Sequence, residues 1–351
     1  MSVKITAQNF TLADFQEAAR TYREELIHLT IIGLEEILPY VTVRPGVTYS
    51  ETVGQASLGN VELAPYKKKR RAEAALDIVM RELKTYFGAL NADFEPNQMI
   101  STILGHRASQ AMGEALKSTP TAKEILALLV KAVARKLNLA LWNAVRDAEG
   151  DTTADLFDGW DTITAREIKK GNIASAKGNY MKLTTEVDST NAVSVMKKVM
   201  RALSTELRGE DCFIYCSQDL LDDYNEAYLL THSGVAYNTK YNQVSVEGSN
   251  NRLTFVPLVS KTGSRFIHIS TKENMLIGVD QLSDKERVDV GQYDPDVLTA
   301  SMRMFFGVEF ESIDPRRLMV VELASGEETA PVVPGSDDVE GPEAGDQQEN
   351  V

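Results

Sequence analysis

Apolar and polar residues alternate along the stretch 41–66, which reads VTVRPGVTYSETVGQASLGNVELAPY. Residues 41–43 and 47–49, and later 61–63, follow the period of two that is typical of β-strands. Residues 53–60, which include Gly, Ser and Gln, form the predicted tip between them. We therefore expect a long two-stranded ribbon. Because an isolated hairpin is only marginally stable in water, the ribbon needs a surface, either on its own domain or on a neighbouring molecule.

Apolar residues recur at helical spacing in several other segments. Helices are predicted at residues 11–38, 72–87, 97–117, 120–148 and 191–207, and from the N-capping Ser217 to residue 230. The helix at 120–148 has the strongest pattern, with Pro120 in its first turn and a Thr121–Glu124 capping box. At about 1.5 Å per residue it spans more than about 40 Å, which suits a rigid spine.

Strands dominate the last third of the chain. The pattern predicts them at residues 253–259, 266–269, 275–279, 287–290, 299–310 and 318–323. Thr262–Gly263 is predicted to be a hairpin turn between the first two of these strands. Cys212 and Cys216 lie on one face of a further predicted strand at 211–216 and are expected to be buried thiols of a reducing compartment.

Composition sets the class of protein. The chain has 351 residues, which predicts about two domains, with 43% hydrophobic and 25% charged residues. It has no apolar run of about 18 to 20 residues and no signal-peptide core, so no membrane partner and a cytoplasmic site of assembly are expected.

Charge is distributed unevenly along the chain. The net charge of -14 owes much to residues 325–351, which are rich in Asp and Glu, hold no Lys or Arg and are predicted to be a disordered acidic tail. A basic run, Lys67-Lys68-Lys69-Arg70-Arg71, follows the predicted ribbon. One interpretation of this run is a docking site, either for acidic groups of a neighbouring chain or for phosphate. The other is the solvated start of a helix. No general nucleic-acid-binding face is expected.

Motifs for catalysis are lacking. The four histidines are scattered without metal-ligand spacing, and GNIASAKG at 171–178 lacks the second glycine and the final Ser or Thr of a phosphate loop. No nucleophile elbow and no dinucleotide fingerprint occur. No catalytic residue, cofactor or metal site is predicted.

The last third resembles a known family. LTFVPLVSKTGSRFIHISTKENMLIGVD, followed by ERVDVGQYDPDVLTASMRMFFGVEFESIDPRRLMVVELA, is similar to the ending of major capsid proteins of tailed bacteriophages, which share the Hong Kong 97 shell fold. The long strand there carries an Arg inside an apolar run (Arg303), then Glu309 and Glu311, and leads through Asp314-Pro315 to a closing strand. LFDGWDTITA at 156–165 resembles the family's join between spine helix and axial domain.

The resemblance implies an α+β fold with five parts. These are an N-terminal arm (1–40), an extended β-hairpin loop (41–70), a peripheral domain with the spine helix (71–154 and 284–313), an axial domain (155–283 and 314–324) and the tail (325–351). It also implies subunit contacts at the extended loop and its base, through Arg44, Tyr49, Glu51, Leu58, Lys67, Lys68, Lys69, Arg70 and Arg71. An axial loop within 232–251 would supply His232, Tyr237, Lys240 and Tyr241.

The implied function is a shell subunit that assembles with itself into pentamers and hexamers, encloses DNA without reading its sequence, and resides in the virion after assembly in the bacterial cytoplasm. The predicted tip has no lysine, so the covalent crosslinking of some relatives is not expected. The arm begins close to Met1, so we expect a separate scaffolding protein, together with a portal. Two alternatives remain: a shell subunit of an encapsulin-like nanocompartment, and a cytoplasmic enzyme with an unfamiliar site.

Overall fold

The computed structural model describes residues 16–17, 34, 36–59, 75–94, 118–232, 244–280, 288–294 and 297–324. Most of the predicted arm helix, the helix at 97–117, the basic run at 67–71, most of the axial loop and the acidic tail lie outside these ranges. Five α-helices occur in the described chain: α1 Ser118–Asn143, α2 Trp160–Lys169, α3 Ala192–Ala202, α4 Thr205–Gly209 and α5 Gln218–Thr231.

The described chain also contains twelve strands. They are β1 Thr42–Pro45, β2 Ser50–Gly59, β3 Ala75–Lys84, β4 Tyr86–Phe94, β5 Tyr180–Lys182, β6 Cys212–Cys216, β7 Leu253–Pro257, β8 Phe266–Ser270, β9 Met275–Val279, β10 Val288–Asp294, β11 Val297–Phe310 and β12 Leu318–Glu322. The mixture of helices and strands confirms the predicted α+β class. The strands predicted in the last third are confirmed, with ends that differ by a few residues.

The strands form two five-stranded sheets and a separate ribbon. The first sheet has the order β1-β9-β11-β10, with β4 also paired to β11. The long β11 is its centre: its first half lies between β10 and β4, and its second half pairs with β9. The second sheet has the order β5-β12-β8-β6-β7. β2 and β3 pair only with each other and form the ribbon.

Two apolar clusters hold the fold together. One joins α1 and α2 to both sheets around Trp142 and Trp160, whose rings lie 4.9 Å apart. The other lies under α3 and α5 on the second sheet. In α1 one buried row recurs every three or four positions, as an amphipathic helix requires, and Ala140 and Trp142 widen it at the end of the helix; the row is Leu126, Val130, Ala134, Leu137 and Leu141.

The prediction of a helix at residues 72–87 is wrong. Those residues form most of β3 and the start of β4. Along residues 82–85 exposed and buried side chains alternate: Glu82 and Lys84 are exposed, and Leu83 and Thr85 are buried. This alternation is typical of a strand. The apolar residues also fit a helical spacing, but pairing with β2 and β11 decides the conformation, because β-propensity depends on tertiary context.

Two helix boundaries and one turn also differ from the prediction. The spine helix α1 ends at Asn143 rather than 148, because Val145 turns away to donate its backbone N–H to Ala154 O at 2.9 Å. The helix predicted at 191–207 breaks at Leu203, and Ser204 caps α4 by accepting a hydrogen bond from Leu207 N. The predicted hairpin at Thr262–Gly263 is not one, because β7 and β8 lie on either side of β6 instead of pairing.

Candidate functional site

The ribbon is longer than the sequence pattern predicted and has a different partner strand. β2 and β3 pair over ten residues, from Ser50 opposite Lys84 to Gly59 opposite Ala75. At about 3.4 Å per residue the paired part extends about 30 Å. The predicted tip at 53–60 is therefore wrong, since 53–59 belong to β2, and the return strand is β3 rather than 61–63. Residues 60–74, which include the basic run, connect the far ends of the two strands in sequence.

The ribbon base crosses the first sheet at two facing glycines. Gly278 of β9 lies opposite Gly307 of β11 in the register. A Cβ on Gly307 would lie 2.0 Å from Lys84 O, and one on Gly278 would lie 2.7 Å from the Thr85 methyl group. The absence of both side chains therefore lets the backbone at the end of β3 lie directly on the sheet.

Backbone and side-chain contacts fix this crossing. Thr85 donates its backbone N–H to Tyr49 O at 2.9 Å and its hydroxyl to Val47 O at 3.1 Å. Val47 also donates its backbone N–H to Val279 O at 3.1 Å, which ties the ribbon base to β9. A small apolar cluster under the crossing is completed by Val53, Leu83 and Leu276, all buried.

A buried ion pair fastens the return strand to the body. Arg81 of β3 donates to Glu309 of β11 at 2.8 Å and lies 3.8 Å from the carboxylate of Glu167 on α2. Burial raises the pKa of the Glu309 carboxyl, against the opposing charge and hydrogen bond of Arg81. Burial also acts to raise the pKa of Glu167, but the hydrogen bond from Asn172 and the charge of Arg81 outweigh it and lower that pKa.

An aromatic group marks the outer side of the ribbon base. Tyr49 has a left-handed backbone (φ 71°) and a side chain that is 73% exposed. Its ring meets that of Phe305 edge-on at 5.0 Å between centroids, and Phe87 packs on Phe305 from the next strand at 5.1 Å. A non-glycine residue seldom adopts positive φ without a local reason, and here the conformation places the Tyr49 ring against β11.

The predicted contact residues are distributed over several parts of the fold. Tyr49 lies at the ribbon base, and Glu51 and Leu58 lie on β2. Arg44 is not in the ribbon: it lies on β1, which pairs in parallel with β9 in the first sheet. His232 follows the end of α5, stacks on Tyr228 and lies 3.6 Å from Glu247. The remaining predicted residues lie outside the described ranges: Lys67, Lys68, Lys69, Arg70, Arg71, Tyr237, Lys240 and Tyr241.

Sequence reasoning missed the residues that anchor the ribbon. Arg81, Gly278 and Gly307 received no role, and Glu309 was noted only as part of an acidic stretch. A glycine inside a strand pattern is a known sign of a close backbone approach, so both glycines carried a usable signal. Arg81 carried none, because its segment was interpreted as a helix.

A second polar group lies in the core, far from solvent. Lys261 is fully buried, and its Nζ has three hydrogen-bond acceptors at 3.1 Å: Asp161 Oδ1, Ser264 Oγ and His268 Nδ1. It also lies 4.0 Å from the ring centroid of Trp142, within cation–π distance. Three acceptors match the three N–H groups of an ammonium ion.

The proton positions in this group, the Lys261 cluster, follow from its geometry. An ammonium group only donates, so His268 accepts at Nδ1 and carries its proton on Nε2, which donates to Thr164 Oγ1 at 2.8 Å. Burial lowers the pKa of His268 and keeps the ring neutral. Burial raises the pKa of Asp161 and lowers that of Lys261, while each partner's charge opposes the shift. Lys261, His268, Asp161 and Thr164 are buried in the core, and Ser264 at the edge of the cluster is half-buried.

Within the described ranges, no group of His, Cys, Asp and Glu side chains is arranged to hold a metal ion. Among the described helices, none has the length and apolar character that crossing a bilayer requires. Both cysteines are buried and unpaired, as predicted.

Comparison with known proteins identifies the fold. No protein-family model and no curated protein sequence matches the chain. A chain of the satellite phage P4 procapsid matches with a TM-score of 0.51 and 14% identity, over 85% of this chain and 98% of that one. A chain of the cyanophage A-1(L) capsid matches with a TM-score of 0.51 and 13% identity, over 92% and 95%. The chain has the fold of a phage capsid shell protein.

The chain also matches a chain of the SrpI encapsulin complex from Synechococcus elongatus PCC 7942. It has a TM-score of 0.49 and 10% identity, over 82% of this chain and 86% of that one.

Proposed function

We propose that the chain is a shell subunit of an icosahedral capsid of a tailed phage or prophage, and that the shell encloses double-stranded DNA. The observation that carries this proposal is the fold, which is shared with two phage capsid chains over 85% and 92% of this chain at a TM-score of 0.51. A subunit of this kind acts by assembly: repeated heterologous contacts close into a shell, so no catalytic group is required.

The ribbon is the part of the subunit that we assign to contact between neighbours. It pairs with no other strand of the described chain. A two-stranded ribbon gains stability when it lies on a surface, and a neighbouring subunit supplies one. The glycine crossing and the Arg81–Glu309 pair hold the base rigid, so contact energy at the far end is not lost to bending.

The other parts follow from the resemblance to the capsid family. We assign residues 1–40 to an N-terminal arm, α1 with β4, β10 and β11 to a peripheral domain, and the second sheet with α3 and α5 to an axial domain. The loop after α5, between His232 and residue 251, would meet its copies at the centre of pentamers and hexamers. Many weak contacts of this kind add to a stable shell because they act together.

The net charge of -14 supports a container for DNA, since a strongly basic wall would bind the genome during packing. In this proposal the chain assembles in the bacterial cytoplasm with a separate scaffolding protein and a portal, and then resides in the virion. A nanocompartment shell has the same fold, and the contents of purified particles, DNA or a cargo enzyme, distinguish the two.

The test is size-exclusion chromatography of the purified chain, followed by negative-stain microscopy of each peak. Shells, or pentamers and hexamers, are the expected result. A homogeneous monomer that forms no particle, alone or with the scaffolding candidate from its own genome, would overturn the proposal.

The role of the ribbon needs a variant that keeps its strands. Replacing residues 60–74 by Asn-Gly joins Gly59 to Ala75, which already lie opposite each other, through a two-residue turn that suits a hairpin. We expect a folded subunit with impaired assembly. The matched control replaces only the five cations at 67–71 by Gln, which separates charge from length. Normal shells from the shortened chain would refute the role of the ribbon end.

A further inference from the structure

A row of cations lies on an exposed side of α1. Five residues recur there every three or four positions and so follow one line along the helix, which we call the α1 stripe: Leu128, Lys131, Arg135, Asn138 and Trp142. Its first three members are exposed, and the apolar side chain of Leu128 is 52% exposed. The N-terminal part of the stripe is therefore uncovered.

The C-terminal end of the stripe is already covered. Lys261 Nζ lies 4.0 Å from the centroid of the Trp142 ring. Asn138 donates its side-chain N–H to Glu36 Oε2 at 3.1 Å, and Glu36 Oε1 accepts the backbone N–H of Val259 at 2.7 Å. The short helical turn Val259–Lys261 and one carboxylate thus close the stripe as far as Asn138, and the open part begins one helical turn before it.

The open part of the stripe carries positive charge without a counter-charge. Lys131 and Arg135 are four residues apart, a spacing at which like charges on a helix repel each other, and Lys136 lies beside them. The sequence from 126 to 143 holds no Asp or Glu. Among the ion pairs between described residues, none includes any of these three cations. In a chain with a net charge of -14, such a cluster on one exposed helix face favours an anionic partner.

The acidic tail, residues 325–351, leaves the described fold close to the covered end of the stripe. Leu323, directly after β12, donates its backbone N–H to Arg265 O at 2.9 Å. The neighbouring Ser264 accepts a hydrogen bond from Lys261 Nζ at 3.1 Å, and Lys261 belongs to the turn that covers the stripe. The tail therefore continues from a point next to this turn, which borders the open part of the stripe.

The tail has the charge and the reach to cover the open part of the stripe. It holds eight Asp and Glu residues and no Lys or Arg. Asp337 follows Ala324 by thirteen residues, and a flexible chain of that length spans about 20 Å. The stripe measures about 17 Å from Trp142 to Lys131, at about 1.5 Å of rise per residue. The acidic residues from Asp337 onward can therefore meet the cations of α1.

We propose that the acidic tail of this chain docks on the α1 stripe of the same chain. The groups that pair are the carboxylates of Asp337, Asp338 and Glu340 and the cations of Lys131, Arg135 and Lys136. Each exposed ion pair is weak, but the covalent tether keeps the tail at an effective concentration on the order of millimolar, so several weak pairs act together. The docked tail shields the cations of α1 from other polyanions. The inference does not depend on shell formation, because it concerns the free subunit.

The first test is carbodiimide crosslinking of the full-length chain at low salt, followed by peptide mass spectrometry. The reagent joins an amine to a carboxylate in contact with it and adds no spacer. Bonds from Lys131 and Lys136 to the tail should be at least about fivefold more abundant than bonds from Lys169 and Lys198, two exposed lysines on α2 and α3. This excess should disappear at about 0.5 M salt, which screens exposed charges.

A mixture of isotope-labelled and unlabelled chains shows which copy supplies the tail. Crosslinked peptide pairs that carry a single label support docking within one chain. Pairs that combine the two labels would overturn the assignment to the same chain.

The second test compares two charge-matched triple variants, with a dye on the tail as the reporter. Gln348→Cys supplies the labelling site, because both native thiols are buried and burial raises their pKa values to about 12. The stripe variant should release the tail and lower the anisotropy of the dye; it combines Lys131→Gln, Arg135→Gln and Lys136→Gln. The control removes the same charge from other exposed positions and should leave the anisotropy unchanged; it combines Lys169→Gln, Lys198→Gln and Arg201→Gln.

The two tests fail in recognisable ways. Equal anisotropy in the stripe variant and the control would overturn the proposal. So would the absence of tail crosslinks, or an even spread of them over the four lysines that the first test compares.

Discussion

Replacing Lys261 by Met gives the sharpest test of how the core is held together. The substitution keeps most of the apolar stem but removes the ammonium group, which leaves Asp161 Oδ1, Ser264 Oγ and His268 Nδ1 without their shared donor. Removing one partner of a buried ion pair costs about 3–5 kcal/mol of stability, because the other charge stays buried and uncompensated. We therefore expect Lys261→Met to lower the free energy of unfolding by that amount near neutral pH.

The pH dependence of this loss follows from Asp161. Burial raises the pKa of its carboxyl, and Lys261 opposes that rise, so the variant raises the pKa further. Between the unfolded value of about 3.9 and the folded value, the folded state binds more protons than the unfolded state. The stability contributed by Asp161 therefore falls as pH rises through that window. The destabilisation by Lys261→Met should be smaller at mildly acidic pH than at neutral pH.

The assay is urea denaturation of the monomer, followed by tryptophan fluorescence. The chain has two tryptophans, Trp142 and Trp160, and both pack in this core, so the signal reports the perturbed region. Lys198→Met, at an exposed position of α3, is the matched control and should change stability by less than about 0.5 kcal/mol.

A double variant separates a buried charge from lost packing. Lys261→Met combined with Asp161→Leu removes both charges and should recover much of the loss, because apolar replacement of a whole buried pair is often near neutral. A loss below about 1 kcal/mol in the single variant, or a loss that is the same at all pH values, would refute the reasoning.

Three other perturbations test the ribbon base and the core. Gly307→Ala forces the Lys84 backbone away from β11 and should destabilise the chain by about 1–3 kcal/mol in thermal unfolding. The control Gly291→Ala, in β10, adds a Cβ that meets no atom within 4 Å and should be tolerated, so equal effects of the two variants would contradict the crossing. Arg81→Met leaves Glu309 buried without its cation, so we expect the free energy of unfolding to fall by about 3–5 kcal/mol. The raised pKa of the Glu309 carboxyl keeps it protonated only at lower pH, so this loss of stability should grow as pH rises, and a flat pH profile in denaturant melts would argue against the reasoning. Both buried cysteine thiols have pKa values raised to about 12 by burial, so a thiol reagent at neutral pH should label them only on unfolding, and rapid labelling of the native chain would contradict their burial.

Local pattern was sufficient where one periodicity dominated. Helices α1 and α5 were predicted because their apolar positions recur with the helical period, and Ser217 caps α5 as its position before the apolar run implied. The strands of the last third were predicted because short apolar runs lie between polar turns. Their order and content also carried the resemblance to capsid proteins, and the fold agrees with it.

The candidate site could be predicted only in part. The sequence placed a ribbon after residue 40 and noticed Tyr49, Glu51 and Leu58 within it. It could not identify the return strand, because the apolar residues of 72–87 fit a helical period as well as an alternating one. The choice between the two depends on β2 and β11, which are distant partners.

The sequence by itself determined the fold class, the long helix, most strands and the absence of familiar catalytic motifs, because these depend on residues close together in the chain. Tertiary structure alone decided that Gly278 and Gly307 face each other beneath the ribbon, and that Arg81 meets Glu309. It also decided that Lys261 is buried against Asp161. The members of these pairs are separated by dozens to hundreds of residues, so no local periodicity relates them. Their energies arise only when folding removes water from between them.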